Sequence, residues 1–164
     1  MTELEGAILG VLRRAPKVSA YAVRQVFLNS RSEEWSGSAG AVYPAIARLT
    51  QAKLLVPLAQ GDGRGTTSYA LSAKGRSVHD DWLCDVSRAA GPGTDPFRTR
   101  AGLWLELSPA RRRTLTGVLH EEIARRRDAI KSAPKSDDKA DAIADELHLE
   151  LLVLRLRWLE QHGA

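Results

Sequence analysis

The chain of 164 residues has one cysteine, one methionine and two phenylalanines. No apolar run approaches the roughly 18 residues that would cross a bilayer. The lone cysteine, Cys84, excludes an internal disulfide and any cysteine-built metal site. The opening MTELEGAILG puts acidic residues ahead of a short apolar run and lacks a basic stretch, so it does not read as a secretory signal. Together these absences predict a cytoplasmic protein that stays off the membrane. Charge of one sign is scarce as well: 24 Lys and Arg stand against 20 Asp and Glu, a net +4 with a pI near 9.5. Residues 1–90 carry 11 basic against 8 acidic groups, and residues 91–164 carry 13 against 12. A small basic excess of this kind is compatible with a nucleic-acid partner and does not establish one.

What is present is a globular composition, 43% hydrophobic and 27% charged, written in two grammars. The stretch "RAAGPGTDPF" (residues 88–97) holds Gly91-Pro92-Gly93 and Pro96, which forbid a continuous helix. It predicts a boundary between a domain over 1–90 and another over 91–164. In the first, Leu4, Ala7, Ile8, Val11 and Leu12 recur at helical spacing over residues 3–14, and Pro16 ends that run. A second helix is expected over 20–29, capped by Ser19, and a third over 39–52, capped by Ser38, with Val42, Ile46 and Leu49 facing inward. The period then changes. "LLVPLAQ" reads as a strand, "GDGRGTT" as a glycine turn, and "SYALS" as a returning strand with Tyr69 and Leu71 on one face. Ser72 is placed to cap a closing helix that runs to about residue 86. Three helices, a hairpin and a closing helix is the order of a winged helix-turn-helix.

Beyond the boundary, helices are expected over 97–107, from Ser108-Pro109 onward, and over 137–162. The last is informative. Ile143, Leu147, Leu151, Leu154 and Trp158 form one apolar stripe, and Leu149, Leu152, Val153, Leu156 and Leu159 form another. A surface helix needs a single stripe. With two other helices to cover it, the last helix is expected to be buried against a second subunit, in a homodimer with two-fold symmetry. The predicted fold class is mainly α with a small β-hairpin: an N-terminal winged helix-turn-helix plus a C-terminal helical dimerisation domain.

The third helix opens on small residues and then exposes a Tyr-Pro pair, "SGSAGAVYPAIARL". Ser38, Gly40 and Ala41 permit close approach to a DNA major groove about 12 Å wide. Tyr43 can reach a phosphate through its hydroxyl or a thymine methyl through its ring, and Pro44 is expected within the tolerated first turns. Arg48 is placed for a phosphate or a guanine edge, and Arg64, at the tip of the glycine turn, for the minor groove. The blander alternative makes Tyr43 a half-buried core residue and the small residues a helix-packing surface.

"ILGVLRRAP", "AYAVRQVF", "AGAVYPAIARLTQAKLL" and "GRGTTSYALSAKGRSV" together resemble the PadR family of transcriptional regulators. The resemblance covers roughly residues 4–87. Its most specific elements are the Tyr-Pro run at Gly40 to Leu49 and the Tyr-x-Leu-Ser-x-x-Gly run at Tyr69 to Gly75. It implies a dimeric winged-helix repressor that binds double-stranded DNA at a palindromic operator, with the C-terminal helices as dimerisation arms. By motif position it implies Tyr43, Pro44 and Arg48 on the reading helix, Arg64 on the wing and a DNA contact at Tyr21 of the second helix.

Other chemistry finds little support. His120-Glu121 begins like a zinc-protease helix, but Ala124 stands where the second ligand belongs. The four histidines share no ligand spacing, and neither a metal nor a cofactor is expected. Gly61, Gly63 and Gly65 lack the following helix of a nucleotide loop. Cys84 reads as a packed thiol, and the arginine runs 111–113 and 125–127 read as a solvated face partnered by Glu121, Glu122 and Asp128. No nucleophile, base and orienting group converge as an enzyme requires. Trp104 and Trp158 are candidates to contact a small aromatic effector in an apolar pocket. The rival to DNA binding is a winged helix used to dock another protein.

Overall fold

The computed structural model describes residues 1–29, 38–59, 67–134 and 136–163. The chain divides into two compact units, Met1–Leu83 and Cys84–Ala164. The division thus falls before the Gly91-Pro92-Gly93 seam.

In the first unit, helix α1 (Glu3–Arg14) starts with a capping box. Thr2 Oγ1 accepts from Glu5 N–H at 3.2 Å, and Thr2 N–H donates to Glu5 Oε2 at 3.0 Å. Strand β1 (Val18–Ser19) leads into α2 (Ala20–Leu28), where Ser19 Oγ accepts from Ala22 N–H. Helix α3 (Ala39–Gln51) follows, then β2 (Leu55–Ala59), β3 (Thr67–Leu71) and α4 (Ala73–Leu83). The helices are helical for the reason their periodicity implied: Ile8, Leu9, Leu12, Val23, Phe27, Val42, Ala45, Ile46 and Leu49 all turn into one core. Each large side chain fully buried there contributes about 1.5–3 kcal/mol.

The expected hairpin is part of a three-stranded antiparallel sheet, ordered β1-β3-β2. Strand β1 pairs through Val18 with Tyr69 and Ser19 with Ser68. Its two residues are too few to show an alternation in sequence. Pro57 is tolerated because β2 lies at a sheet edge, where a missing N–H costs no ladder bond. In β3, Leu71 is buried and Tyr69 half-buried, but Ser68 on the opposite face is buried as well.

The Tyr-x-Leu-Ser-x-x-Gly run has a mechanical explanation. Ser72 Oγ accepts from Gly75 N–H at 2.9 Å and starts α4, while the same hydroxyl donates to the Lys53 carbonyl at 2.8 Å. Gly75 is held against the Leu54 carbonyl so closely that a Cβ could not fit. This fastens α4 to the exit of α3, where Lys53 adopts φ 60° and the N–H of Leu54 returns to the Leu49 carbonyl. Helix α4 ends at Leu83 rather than near 86, because Asp85 caps a new short helix, α5 (Val86–Ala89).

The second unit continues with α6 (Thr94–Leu103), a 3₁₀ turn (Trp104–Glu106), α7 (Pro109–Ser132) and α8 (Lys139–His162). Ser108 caps α7 ahead of Pro109, and Asp138 caps α8. Helices α7 and α8 pack along one another, burying Leu115, Leu119 and Ile123 of one and Leu152, Leu156 and Leu159 of the other. Thr116 Oγ1 donates to the Gly163 carbonyl at 2.8 Å and ties down the end of α8. Of the arginines of α7, Arg125 and Arg126 pair locally with Glu122 and Arg127 with Asp128. No helix among the described residues is long and apolar enough to cross a membrane.

Candidate nucleic-acid interface

Helix α3 buries Val42, Ala45, Ile46 and Leu49 and exposes Gly40, Ala41, Tyr43, Pro44, Ala47, Arg48 and Gln51. At about 100° per residue, Gly40, Pro44, Ala47 and Gln51 run down the middle of the outer face. Tyr43 lies on one flank and Arg48 on the other. The small residues therefore do not serve helix packing: a Cβ built on Gly40 meets nothing within 4 Å. Tyr43 is 38% exposed, on the outside of the core it was weighed against.

Two details differ from the sequence reading. Ser38 is the N-cap residue, with backbone at φ −61°, ψ 140°, yet its side chain makes no cap hydrogen bond. Its carbonyl takes the N–H groups of Ala41 and Val42 instead. Pro44 is not in the first turn. With α3 starting at Ala39 it lies inside the helix, and its missing N–H leaves the Gly40 carbonyl without an i+4 donor. That carbonyl belongs to an exposed residue, so the vacancy costs little.

Arg48 is the single charged residue of α3. Its Nε donates to Glu5 Oε1 of α1 at 2.8 Å, with the arginine side chain 57% exposed and the glutamate 12%. Burial pushes the Glu5 carboxyl up. The hydrogen bonds from Thr2 and Arg48, with the arginine charge, outweigh that and hold its pKa below the ordinary value.

Tyr21, near the start of α2, is 60% exposed. Arg64 lies outside the described residues. In the second unit Trp104 is buried and Trp158 half-buried, and both rings pack edge-on against Phe97, at 5.4 and 5.6 Å between centroids. Trp158 also lies 5.1 Å from the His162 ring. The Arg155 guanidinium is 5.1 Å from the Phe97 centroid and donates to the Gly91 and Gly93 carbonyls. Burial lowers its pKa to about 10. Trp104 and Trp158 thus meet in one aromatic cluster, and the indole with surface to offer a ligand is that of Trp158. Among the described residues no group of three His, Cys, Asp or Glu could hold a metal ion.

No family model matches the chain, and no curated protein matches it. Solved structures that it resembles include PadR and PadR-like transcriptional regulators. Bacillus subtilis PadR in complex with operator DNA is 22% identical at a TM-score of 0.46, over 99% of this chain and 98% of that one. The same protein in complex with p-coumaric acid is also 22% identical, at a TM-score of 0.44, over 98% and 93%. A PadR-like regulator from Bacillus cereus is 14% identical at 0.40, over 97% and 92%.

The residue missed by sequence reasoning is Glu5. The pattern Thr2-x-x-Glu5 announces a capping box. Its second oxygen, however, serves a residue 43 positions away, and no local pattern encodes that.

Proposed function

We propose that the chain is a sequence-specific DNA-binding transcriptional regulator acting as a homodimeric repressor. The observation that carries this reading is the outer face of α3. It combines small residues, an exposed Tyr-Pro pair and a single directed arginine, on a helix whose opposite face is locked into the core. Such a surface offers close approach and specific reach with little bulk charge, which suits a major groove. The sequence resemblance to the PadR family over residues 4–87 supports the same conclusion.

Dimerisation is assigned to α8. Leu152, Leu156 and Leu159 are buried within the chain, while Ile143, Leu147 and Leu154 on the opposite side are 58%, 62% and 57% exposed. Covering that stripe with its two-fold copy makes a dimer, and its paired α3 helices would then read a palindrome with half-sites about 34 Å apart. A small aromatic effector, with Trp158 as the ring nearest solvent and Trp104 behind it, would release the operator by preferring a different dimer geometry.

The test is a fluorescence-anisotropy titration against DNA upstream of the chain's own gene and against the best duplex selected from a random pool, at two salt concentrations with scrambled competitor. Tight, salt-sensitive, competitor-resistant binding is expected. Tyr43→Ala and Arg48→Ala should each weaken it by about 5- to 100-fold, the weight of one specific contact, while circular dichroism shows the fold intact. Full affinity in both variants would remove α3 from the interface. Absence of any DNA binding would favour docking of another protein.

A further inference from the structure

Arg48 is the one charge on a helix read as DNA-facing, and it is already half engaged. Its Nε is taken by Glu5 Oε1 at 2.8 Å. Among the described residues its Nη1 and Nη2 are left without partners, so the terminal fork of the guanidinium is free. The carboxylate that holds it is itself immobilised. Glu5 Oε2 accepts the Thr2 N–H at 3.0 Å, the Glu5 N–H is bonded to Thr2 Oγ1, and the side chain is only 12% exposed. One carboxylate therefore closes the capping box of α1 with one oxygen and fixes the arginine of α3 with the other.

The pairing has two consequences for a DNA-reading arginine. It removes most of the guanidinium's freedom, since an end-on fork of two N–H donors in a set direction recognises a pair of acceptors and not a general field. It also cancels the charge. An unpaired arginine on this face would add a mobile positive charge attracted equally to every phosphate, strengthening binding to all sequences alike. With Glu5 of α1 beside it, the Arg48–Glu5 pair is neutral and its pull on arbitrary DNA is held down.

We infer that Glu5 is a positioning residue for DNA recognition, holding Arg48 by its Nε so that the arginine discriminates between sequences and does not bind phosphates indiscriminately. The inference rests on the DNA-binding reading of α3 and extends it to a residue outside the helix-turn-helix face.

The experiment uses the full chain, the duplex enriched by wild type from a random pool, and a scrambled duplex of the same composition. Affinities are measured over a salt series for wild type, Glu5→Gln, Thr2→Ala, Arg48→Ala and the double variant Glu5→Gln/Arg48→Ala. Glutamine is accepted in a capping box but carries no charge. Glu5→Gln should raise affinity for the scrambled duplex and reduce the specific-to-scrambled ratio at least about five-fold, the lower end of what one bidentate contact discriminates. Its logarithmic salt slope should steepen by about 0.9, one further neutralised phosphate. Thr2→Ala, which loses the hydroxyl's share of the cap alone, should leave ratio and slope unchanged. In the Arg48→Ala background, Glu5→Gln should no longer change the ratio.

A Glu5→Gln protein with the wild-type ratio and slope would overturn the inference while leaving the DNA reading intact. So would an equal loss of ratio with Arg48 absent, because Glu5 would then act by another route. If wild type enriches no sequence, the DNA reading of α3 fails and this inference fails with it.

Discussion

Leu154→Ala is the sharpest probe of the proposed dimer, because it touches a side chain that the folded protomer leaves more than half uncovered. Leu154 is 57% exposed on α8, in line with Ile143 and Leu147 and opposite the buried Leu152, Leu156 and Leu159. Fully burying a leucine is worth about 1.5–3 kcal/mol. Covering the exposed part of Leu154 is therefore worth about 0.9–1.7 kcal/mol per protomer, and the two-fold counts it twice. The dimer should weaken by roughly 1.7–3.4 kcal/mol, which is about 20- to 300-fold in the dissociation constant. The protomer should lose only about 0.6–1.3 kcal/mol, through the part of the side chain already covered in the monomer, which is too little to unfold it. Sedimentation velocity over a dilution series reads the constant directly, and far-UV circular dichroism checks the fold. A wild-type protein that remains monomeric at every concentration would refute the assignment. A variant that dimerises with the wild-type constant would exclude this face and leave the rest of α8 to explain the dimer.

Three further substitutions test the packing and electrostatics. A Cβ on Gly6 of α1 would strike the indole of Trp82, with Nε1 at 2.5 Å. Gly6→Ala should therefore destabilise by about 1–3 kcal/mol through overpacking, whereas Gly117→Ala on the exposed side of α7, where a Cβ meets nothing within 4 Å, should stabilise by about 0.5–1 kcal/mol through helix propensity; urea titrations with equal signs for the pair would refute the contrast. Hydrogen bonds from Arg125 and then Arg126 lower the Glu122 pKa from its ordinary 4.5 to about 2. A folded pKa below the unfolded one stabilises at pH above 4.5 and loses that contribution as pH falls toward 2. Glu122→Gln should flatten this part of the acid limb of the urea midpoint against pH, and an unchanged limb would show that the carboxylate is not held in solution.

Much of the first unit is local physics and was readable as such. The apolar spacing of α1, the Ser19 and Ser72 caps and the strand-turn-strand period are each encoded within a few residues. The outer face of α3 was legible too, since burying Val42, Ile46 and Leu49 leaves Gly40, Tyr43, Pro44 and Arg48 on the other side. Strand β1 escaped because two residues carry no period and acquire their identity only from Tyr69 and Ser68 opposite. The break after Leu83 escaped because Val86 continues the apolar spacing, while Asp85 interrupts it by capping the next turn. The start of α3 at Ala39 was legible as well, but it makes Pro44 the sixth helical residue, past the orphan N–H groups that tolerate a proline.

The order of elements, the inward faces and the placement of small residues ahead of Tyr43 follow from the sequence alone, because periodicity, capping and turn chemistry act over at most a few residues. Tertiary structure alone decided that a carboxylate on α1 meets the arginine of α3 and that Gly75 lies under the Leu54 carbonyl. Those contacts join residues distant in sequence, and nothing in a local pattern records which distant partner the folded chain brings within hydrogen-bond reach.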